Sequence, residues 1–124
     1  MEVIEHKHLI VRAETANAPT ESELVDWMTE LVSLLNMKIL SGPHSGSIDD
    51  VPGNNGPTCV VIIETSHMAC HVWTDPEDHN LIQLDVYTCG AMNVDVVMSH
   101  LDRFVILNKD IKLFDREYRL QEIA

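Results

Sequence analysis

Basic residues are scarce in this 124-residue chain: eight Lys and Arg stand against twenty Asp and Glu, a formal net charge of -12. That imbalance repels phosphate backbones and anionic lipid surfaces, which argues against nucleic acid and membrane as partners. It does not repel cationic or amine-bearing small molecules. Cysteine is confined to Cys59, Cys70 and Cys89 with no C-x-x-C pair, which leaves a disulfide framework or zinc knuckle without support. A reduced, cytoplasmic compartment is the expectation. No apolar run approaches the roughly 18 residues of a membrane-spanning helix. The opening MEVIEHKHLI lacks the basic start and apolar core of a secretory signal. Neither G-x-S-x-G nor H-E-x-x-H occurs, so the α/β-hydrolase elbow and the zincin signature are both missing. Aromatic residues are only 5%, and none of them lies in the Gly/Pro-rich stretch 42–57.

With 45% apolar and 23% charged residues, the chain has ordinary globular composition, and its length suits one domain, 1–124, with its own core. HKHLIVRA, within Glu5 to Ala13, has the β-branched, part-alternating pattern of a strand. Thr20-Glu21-Ser22-Glu23 reads as a capping box. Behind it Leu24, Trp27, Met28, Leu31, Val32 and Leu35 form a helical apolar stripe suited to covering a sheet. Met37 to Leu40 predicts a short strand, and 42–57 (GPHSGSIDDVPGNNGP) a single long loop. Thr58 to Glu64, His67 to Trp73 and Leu81 to Cys89 predict three more strands, the last two joined by TDPEDHN. Asn93 is placed to cap a second helix carrying Val94, Val97, Met98 and Leu101, and Ile111 to Asp115 predicts a closing strand.

The order β-α-β-β-β-β-α-β points to an α+β fold: a two-layer, antiparallel sheet with two helices on one face. Two helices cover only one face of such a sheet. The other face is expected to meet a second copy, giving a homodimer packed as a four-layer αββα sandwich.

The chemistry-bearing residues gather in VVIIETSHMACHVW and LDVYTCG. A buried-looking run ends in Glu64-Thr65-Ser66-His67, and His71 follows at a spacing that puts it on the face of His67 in a strand. Cys89 ends the next strand before Gly90, so a hydroxyl, two imidazoles and a thiol are expected to converge at one sheet edge. Three readings fit. Ser66 is a turn residue, His71 a satisfied core histidine and Cys89 a buried filler. Alternatively, His67, His71 and His79, with Asp75, hold a metal, although no metal signature is present. In the third, Ser66 or Cys89 is a nucleophile served by His71.

Ile63-Glu64-Thr65-Ser66-His67, His71-Val72-Trp73 and Asp85-Val86-Tyr87-Thr88-Cys89-Gly90 resemble the prokaryotic S-adenosylmethionine decarboxylases. The pattern there is E-S-H-x-x-x-H-x-W-P-E followed by D-[LVI]-[FY]-T-C-G. The likeness extends to the His-Leu-Ile-Val strand at the amino terminus, to both helices, and to Asp115-Arg116-Glu117. It implies a self-cleaving proenzyme in which Ser66 attacks the Thr65 carbonyl. An N-to-O acyl shift and β-elimination would then leave a pyruvoyl group at residue 66, separating chain 1–65 from chain 66–124. Thr58, at the place of a processing serine, and His71 are implied as processing aids. The pyruvoyl ketone is the implied cofactor, condensing with a substrate amine and taking up electrons as carbon dioxide leaves. Cys89 is implied as the acid that reprotonates the former α-carbon, and no metal is required.

The chain departs from that pattern in four places. Thr65 precedes the serine where relatives carry Glu, which here is Glu64. Thr58 replaces serine. Trp73-Thr74-Asp75-Pro76-Glu77 replaces W-P-E, so Asp75 or Glu77 is the implied ribose ligand beside His67 and Trp73. In the 42–57 stretch, only His44 offers a flat ring for adenine. The substrate expected from the resemblance is S-adenosylmethionine, for polyamine synthesis. The alternatives are ornithine or arginine, their distal cation held by Asp49, Asp50, Asp75 or Glu77, and a homologue that neither cleaves nor catalyses.

Overall fold

The computed structural model describes residues 5–124. Seven strands form one antiparallel sheet in the order β2-β3-β4-β5-β1-β6-β7. They are β1 (Lys7–Thr15), β2 (Ile39–Ile48), β3 (Gly56–Ile63), β4 (Ser66–Trp73), β5 (Asn80–Thr88), β6 (Ile106–Asp115) and β7 (Gln121–Glu122). Helix α1 (Glu21–Leu34) follows β1, and α2 (Val94–Leu101) with a 3-10 turn (Asp102–Phe104) follows β5. The α+β class, the antiparallel sheet and the two helices are as the sequence predicts. Among the described residues no helix is long and apolar enough to cross a membrane.

Strand alternation sorts the sheet into two faces. Leu9, Val11, Ala13, Cys59, Val61, Ile63, Met68, Cys70, Val72, Ile82, Leu84 and Val86 all point into one core, completed by Leu24, Trp27, Met28, Leu31 and Val97 from the helices. Full burial of each large apolar side chain contributes about 1.5–3 kcal/mol. The capping box forms as predicted: the Glu23 N–H donates to Thr20 Oγ1 (3.2 Å) and the Thr20 N–H to Glu23 Oε1 (3.0 Å). Asn93 Oδ1 accepts from the Val96 N–H (3.2 Å) and caps α2.

The long loop predicted over 42–57 is a correction. Strand β2 continues through Ile48, well beyond Leu40, and only residues 49–55 connect it to β3. Its Ser, Gly and His residues are exposed and carry no alternating pattern, because β2 is an edge strand held by backbone pairing with β3. Pro43 is tolerated there because an edge strand leaves one row of N–H groups unpaired. Strand β6 likewise begins at Ile106 rather than Ile111, through residues whose outward exposure hides them from a hydrophobic pattern. Gly56, at φ +142, has no room for a side chain: a Cβ there would lie 1.9 Å from the Val72 carbonyl oxygen.

Candidate active site

Strands β3 and β4 form a hairpin whose connection is only Glu64-Thr65, with Ile63 paired to Ser66. Ser66 sits at φ +138, a region that L residues rarely adopt and that costs on the order of 1–3 kcal/mol. The tip is stitched to the end of β5. The Cys89 N–H donates to the Thr65 carbonyl oxygen at 2.7 Å, and Thr88 Oγ1 donates to Thr65 Oγ1 at 3.0 Å. Thr88 is itself oriented by the Gly90 N–H, which donates to its hydroxyl at 3.0 Å, and the Glu64 N–H donates to the Lys38 carbonyl (3.0 Å). The Thr65–Ser66 peptide therefore has a polarised carbonyl on one side and a strained serine on the other.

The three thiols separate by environment. Cys59 and Cys70 are cross-strand neighbours in the core. Burial pushes the Cys59 thiol up to about 11, with the Glu21 charge adding to the effect, and burial raises Cys70 further. Both stay protonated and shielded. Cys89 is half-buried, and its main-chain N–H is bonded to Thr65 at the hairpin tip.

His67 and His71 share the uncovered face of β4, as the spacing predicts. The predicted convergence of both imidazoles with Ser66 does not occur within one chain. His71 is paired to Thr58, and its Nδ1 lies 3.3 Å from Thr58 Oγ1. Because an extended strand advances about 3.3–3.4 Å per residue, that pair stands roughly 17 Å along the hairpin from Ser66. What the structure gathers at the tip is Glu64, Thr65, Ser66, Thr88 and Cys89. The hydrogen bond from Cys89 comes from its main-chain N–H, which no side-chain pattern signals, while Thr88 enters the sequence reading only as a letter of the Tyr-Thr-Cys-Gly motif.

Among the other candidates, Asp75 is fully engaged. Its Oδ2 accepts from the Gly53 N–H (3.0 Å) and Asn55 Nδ2 (2.8 Å), and its Oδ1 accepts from the Asn55 N–H (2.8 Å). Trp73 Nε1 donates to Asn54 Oδ1 at 3.0 Å, so Trp73 and Asp75 together pin the loop before β3. Glu77 is exposed, as are Asp49 and Asp50. His44, on edge strand β2, is exposed with its Nε2 3.1 Å from Ser41 Oγ. His79 contacts Asp78 (2.6 Å) and Glu14 (3.5 Å), at the far end of β5 from Tyr87, which faces His67. The three histidines of the metal reading are thus dispersed.

The chain superposes on the crystal structure of the adenosylmethionine decarboxylase from Aquifex aeolicus VF5 with a TM-score of 0.76, covering 99% of each chain at 20% identity. At that identity the match speaks for the fold. The model of the family described as S-adenosylmethionine decarboxylase matches residues 7–115, from β1 to the end of β6 and through every element that builds the hairpin tip. By that match the chain belongs to the S-adenosylmethionine decarboxylase family, and it is a carboxy-lyase.

Proposed function

We propose that this chain is a proenzyme that cleaves itself between Thr65 and Ser66 and then decarboxylates S-adenosylmethionine, supplying aminopropyl groups for polyamine (spermidine) synthesis. The observation that carries this reading is the Cys89 N–H aimed at the Thr65 carbonyl oxygen, with Ser66 held at positive φ beside it. When Ser66 Oγ adds to the Thr65 carbonyl carbon, the negative charge develops on the oxygen that already accepts this hydrogen bond. Collapse with loss of the Ser66 nitrogen gives an ester, and relief of strain at residue 66 favours that direction. Removal of the Ser66 α-proton expels the Thr65 carboxylate, and water then replaces the nitrogen as ammonia to leave the pyruvoyl group. The products are chains 1–65 and 66–124.

The residues at the tip fit such a group: residue 66 lies at a strand end with an accessible thiol and a hydroxyl beside it. The pyruvoyl ketone supplies an electrophile for an amine and an electron sink for the departing carboxylate. The chain's own part is to hold that group between β4 and β5, and to keep a proton on Cys89 Sγ for delivery to the substrate carbon.

Thr58 and His71 serve processing in this reading, and their distance from their own tip favours their acting at the tip of a second copy. The uncovered sheet face supports such pairing. It presents Ile10 and Ile62, and its charges nearly balance, Arg12 and Lys112 standing near Glu14, Asp85 and Asp110, on a molecule otherwise strongly acidic. Two copies meeting there make the four-layer αββα homodimer. Three cysteines free of disulfides suit the cytoplasm.

One observation favours a second substrate reading. Asp75 is occupied by the loop it pins, and no aromatic lies in 42–57, so the adenosyl moiety is left with Glu77, His67 and His44. A smaller cationic amino acid, ornithine or arginine, needs no adenine platform. The deciding experiment measures the mass of the mature protein and then carbon dioxide release from each of the three acids. Two fragments and preference for S-adenosylmethionine are expected. A single uncleaved chain overturns the proenzyme, and faster turnover of ornithine or arginine overturns the substrate.

A further inference from the structure

Four of the chain's eight basic residues, Lys7, Arg12, Arg103 and Lys112, hold carboxylates within 3.2 Å: Glu117, Glu14, Glu30 and Glu122. Arg116 differs. Its Nη1 lies 3.2 Å from His8 Nδ1, and its guanidinium carbon lies 4.2 Å above the centre of the Tyr87 ring. Among the described residues no carboxylate pairs with it, although the chain carries twenty acids. The acids flanking it in sequence are committed elsewhere. Asp115 Oδ1 accepts from the Glu117 N–H (3.1 Å), and Glu117 Oε1 takes Lys7 Nζ and the His6 N–H (both 3.2 Å).

The holder of Arg116 is itself fixed. His8 Nε2 contacts the Asp85 carboxylate. A carboxylate only accepts and a guanidinium only donates, so His8 carries its proton on Nε2 and offers the Nδ1 lone pair to Arg116. Arg116 is thus clamped by an imidazole nitrogen and a ring face, two neutral groups, with most of its N–H donors unused. Tyr87 is the cross-strand partner of His67, whose ring meets it edge-on at 5.6 Å, and His67 follows Ser66. Neighbouring strands lie about 4.8 Å apart, so the guanidinium stands one strand from the residue after the candidate cofactor serine. In the single chain it also borders a cleft of about 540 Å³ with Ile10, Phe114, Tyr118 and Arg119, on the face proposed to meet a second copy.

We propose that Arg116, oriented by the Asp85–His8 pair and backed by Tyr87, is the receptor for the α-carboxylate of the amino-acid substrate. A planar fork grips a carboxylate through two parallel hydrogen bonds and so fixes its plane as well as its position. Orientation of that group matters to a decarboxylase, because the breaking bond must align with the π system that receives its electrons. The proposal rests on the decarboxylase reading only for the identity of the acid.

The test compares an acid with its own decarboxylated amine on the mature protein and on Arg116→Gln. The KM of S-adenosylmethionine is expected to rise about tenfold or more, while the inhibition constant of decarboxylated S-adenosylmethionine changes less than about twofold. Arg116→Lys, which keeps the charge but not the fork, should recover part of the difference, and it serves for the comparison if Arg116→Gln does not fold. Equal weakening of acid and amine, or no change in either, overturns the proposal by making Arg116 structural or idle. If S-adenosylmethionine proves not to be turned over, the same acid–amine comparison with ornithine and arginine separates the failures. The substrate reading then falls alone, and the receptor falls only if no pair is discriminated through Arg116.

Discussion

Thr58 Oγ1 and His71 Nδ1 lie 3.3 Å apart across the β3–β4 hairpin, at the end remote from the Thr65–Ser66 bond. A pair that works on its own chain would have to cross roughly 17 Å of extended strand. The pairing of two copies predicts complementation instead. A Ser66→Ala chain and a His71→Ala chain, each uncleaved when expressed alone, should yield cleaved His71→Ala subunits when expressed together. Electrophoresis of differently tagged chains reads this directly. Cleavage of His71→Ala alone at the natural rate would remove His71 from processing, and failure of the mixed pair would return both residues to a single chain.

Thr88 and Cys89 separate processing from turnover. Thr88→Val deletes the hydroxyl that steadies Thr65 while keeping the shape, and should slow cleavage about tenfold, as expected for losing one buried hydrogen bond. Cys89→Ala keeps the main-chain N–H on the Thr65 carbonyl, so cleavage should continue near its normal rate. Turnover should fall by about 10²–10⁴, the usual contribution of a positioned acid. A Cys89→Ala protein that decarboxylates normally would leave proton delivery to another group.

Asp75 accepts three hydrogen bonds from the loop it pins, so Asp75→Ala should destabilise the protein by about 1–3 kcal/mol and loosen residues 51–55. Hydrogen exchange at the Gly53 and Asn55 amides measures this loosening. Glu77→Gln, at an exposed site, should leave the thermal midpoint in place while raising KM if Glu77 holds the ribose. A change in KM for Asp75→Asn alone would restore Asp75 as the ligand.

Much of the fold was readable because its elements announce themselves. The Thr20–Glu23 box and the stripe from Leu24 define α1, and apolar β-branched runs define β3 and β5. The continuation of β2 beyond Leu40 was hidden because Ser41, His44, Ser45 and Gly46 owe their extended conformation to pairing with β3, a tertiary cause with no local pattern. At the site, Ser66, His71 and Cys89 were recognisable as motif letters, but a motif does not encode distance. The separation of His71 from Ser66 follows only from the pairing register. The Cys89 N–H and the bare guanidinium of Arg116 were invisible for similar reasons, one being backbone and the other defined by the lack of a partner.

The two helices are clasped by a titratable group. His100 is buried and stacked on Trp27 with ring centres 4.5 Å apart. Its Nε2 lies 2.9 Å from the Trp27 carbonyl oxygen, and Trp27 Nε1 donates back to the His100 carbonyl at 3.0 Å. A carbonyl only accepts, so Nε2 carries the proton. Burial holds the imidazole below its ordinary value of 6.5, with nearby Arg103 pushing the same way and the Trp27 carbonyl opposing. Below 6.5 the unfolded chain binds a proton that the folded chain resists, so stability is full above that pH and declines as pH falls through the lowered folded value. The thermal midpoint should therefore drop from about pH 7 to about pH 5.5, before most carboxylates titrate. His100→Gln, which retains an N–H donor but no titration, should start from a lower midpoint and show a flatter slope over the same interval. An unchanged slope in that variant would place the acid sensitivity in other groups and leave the clasp a purely packing contact.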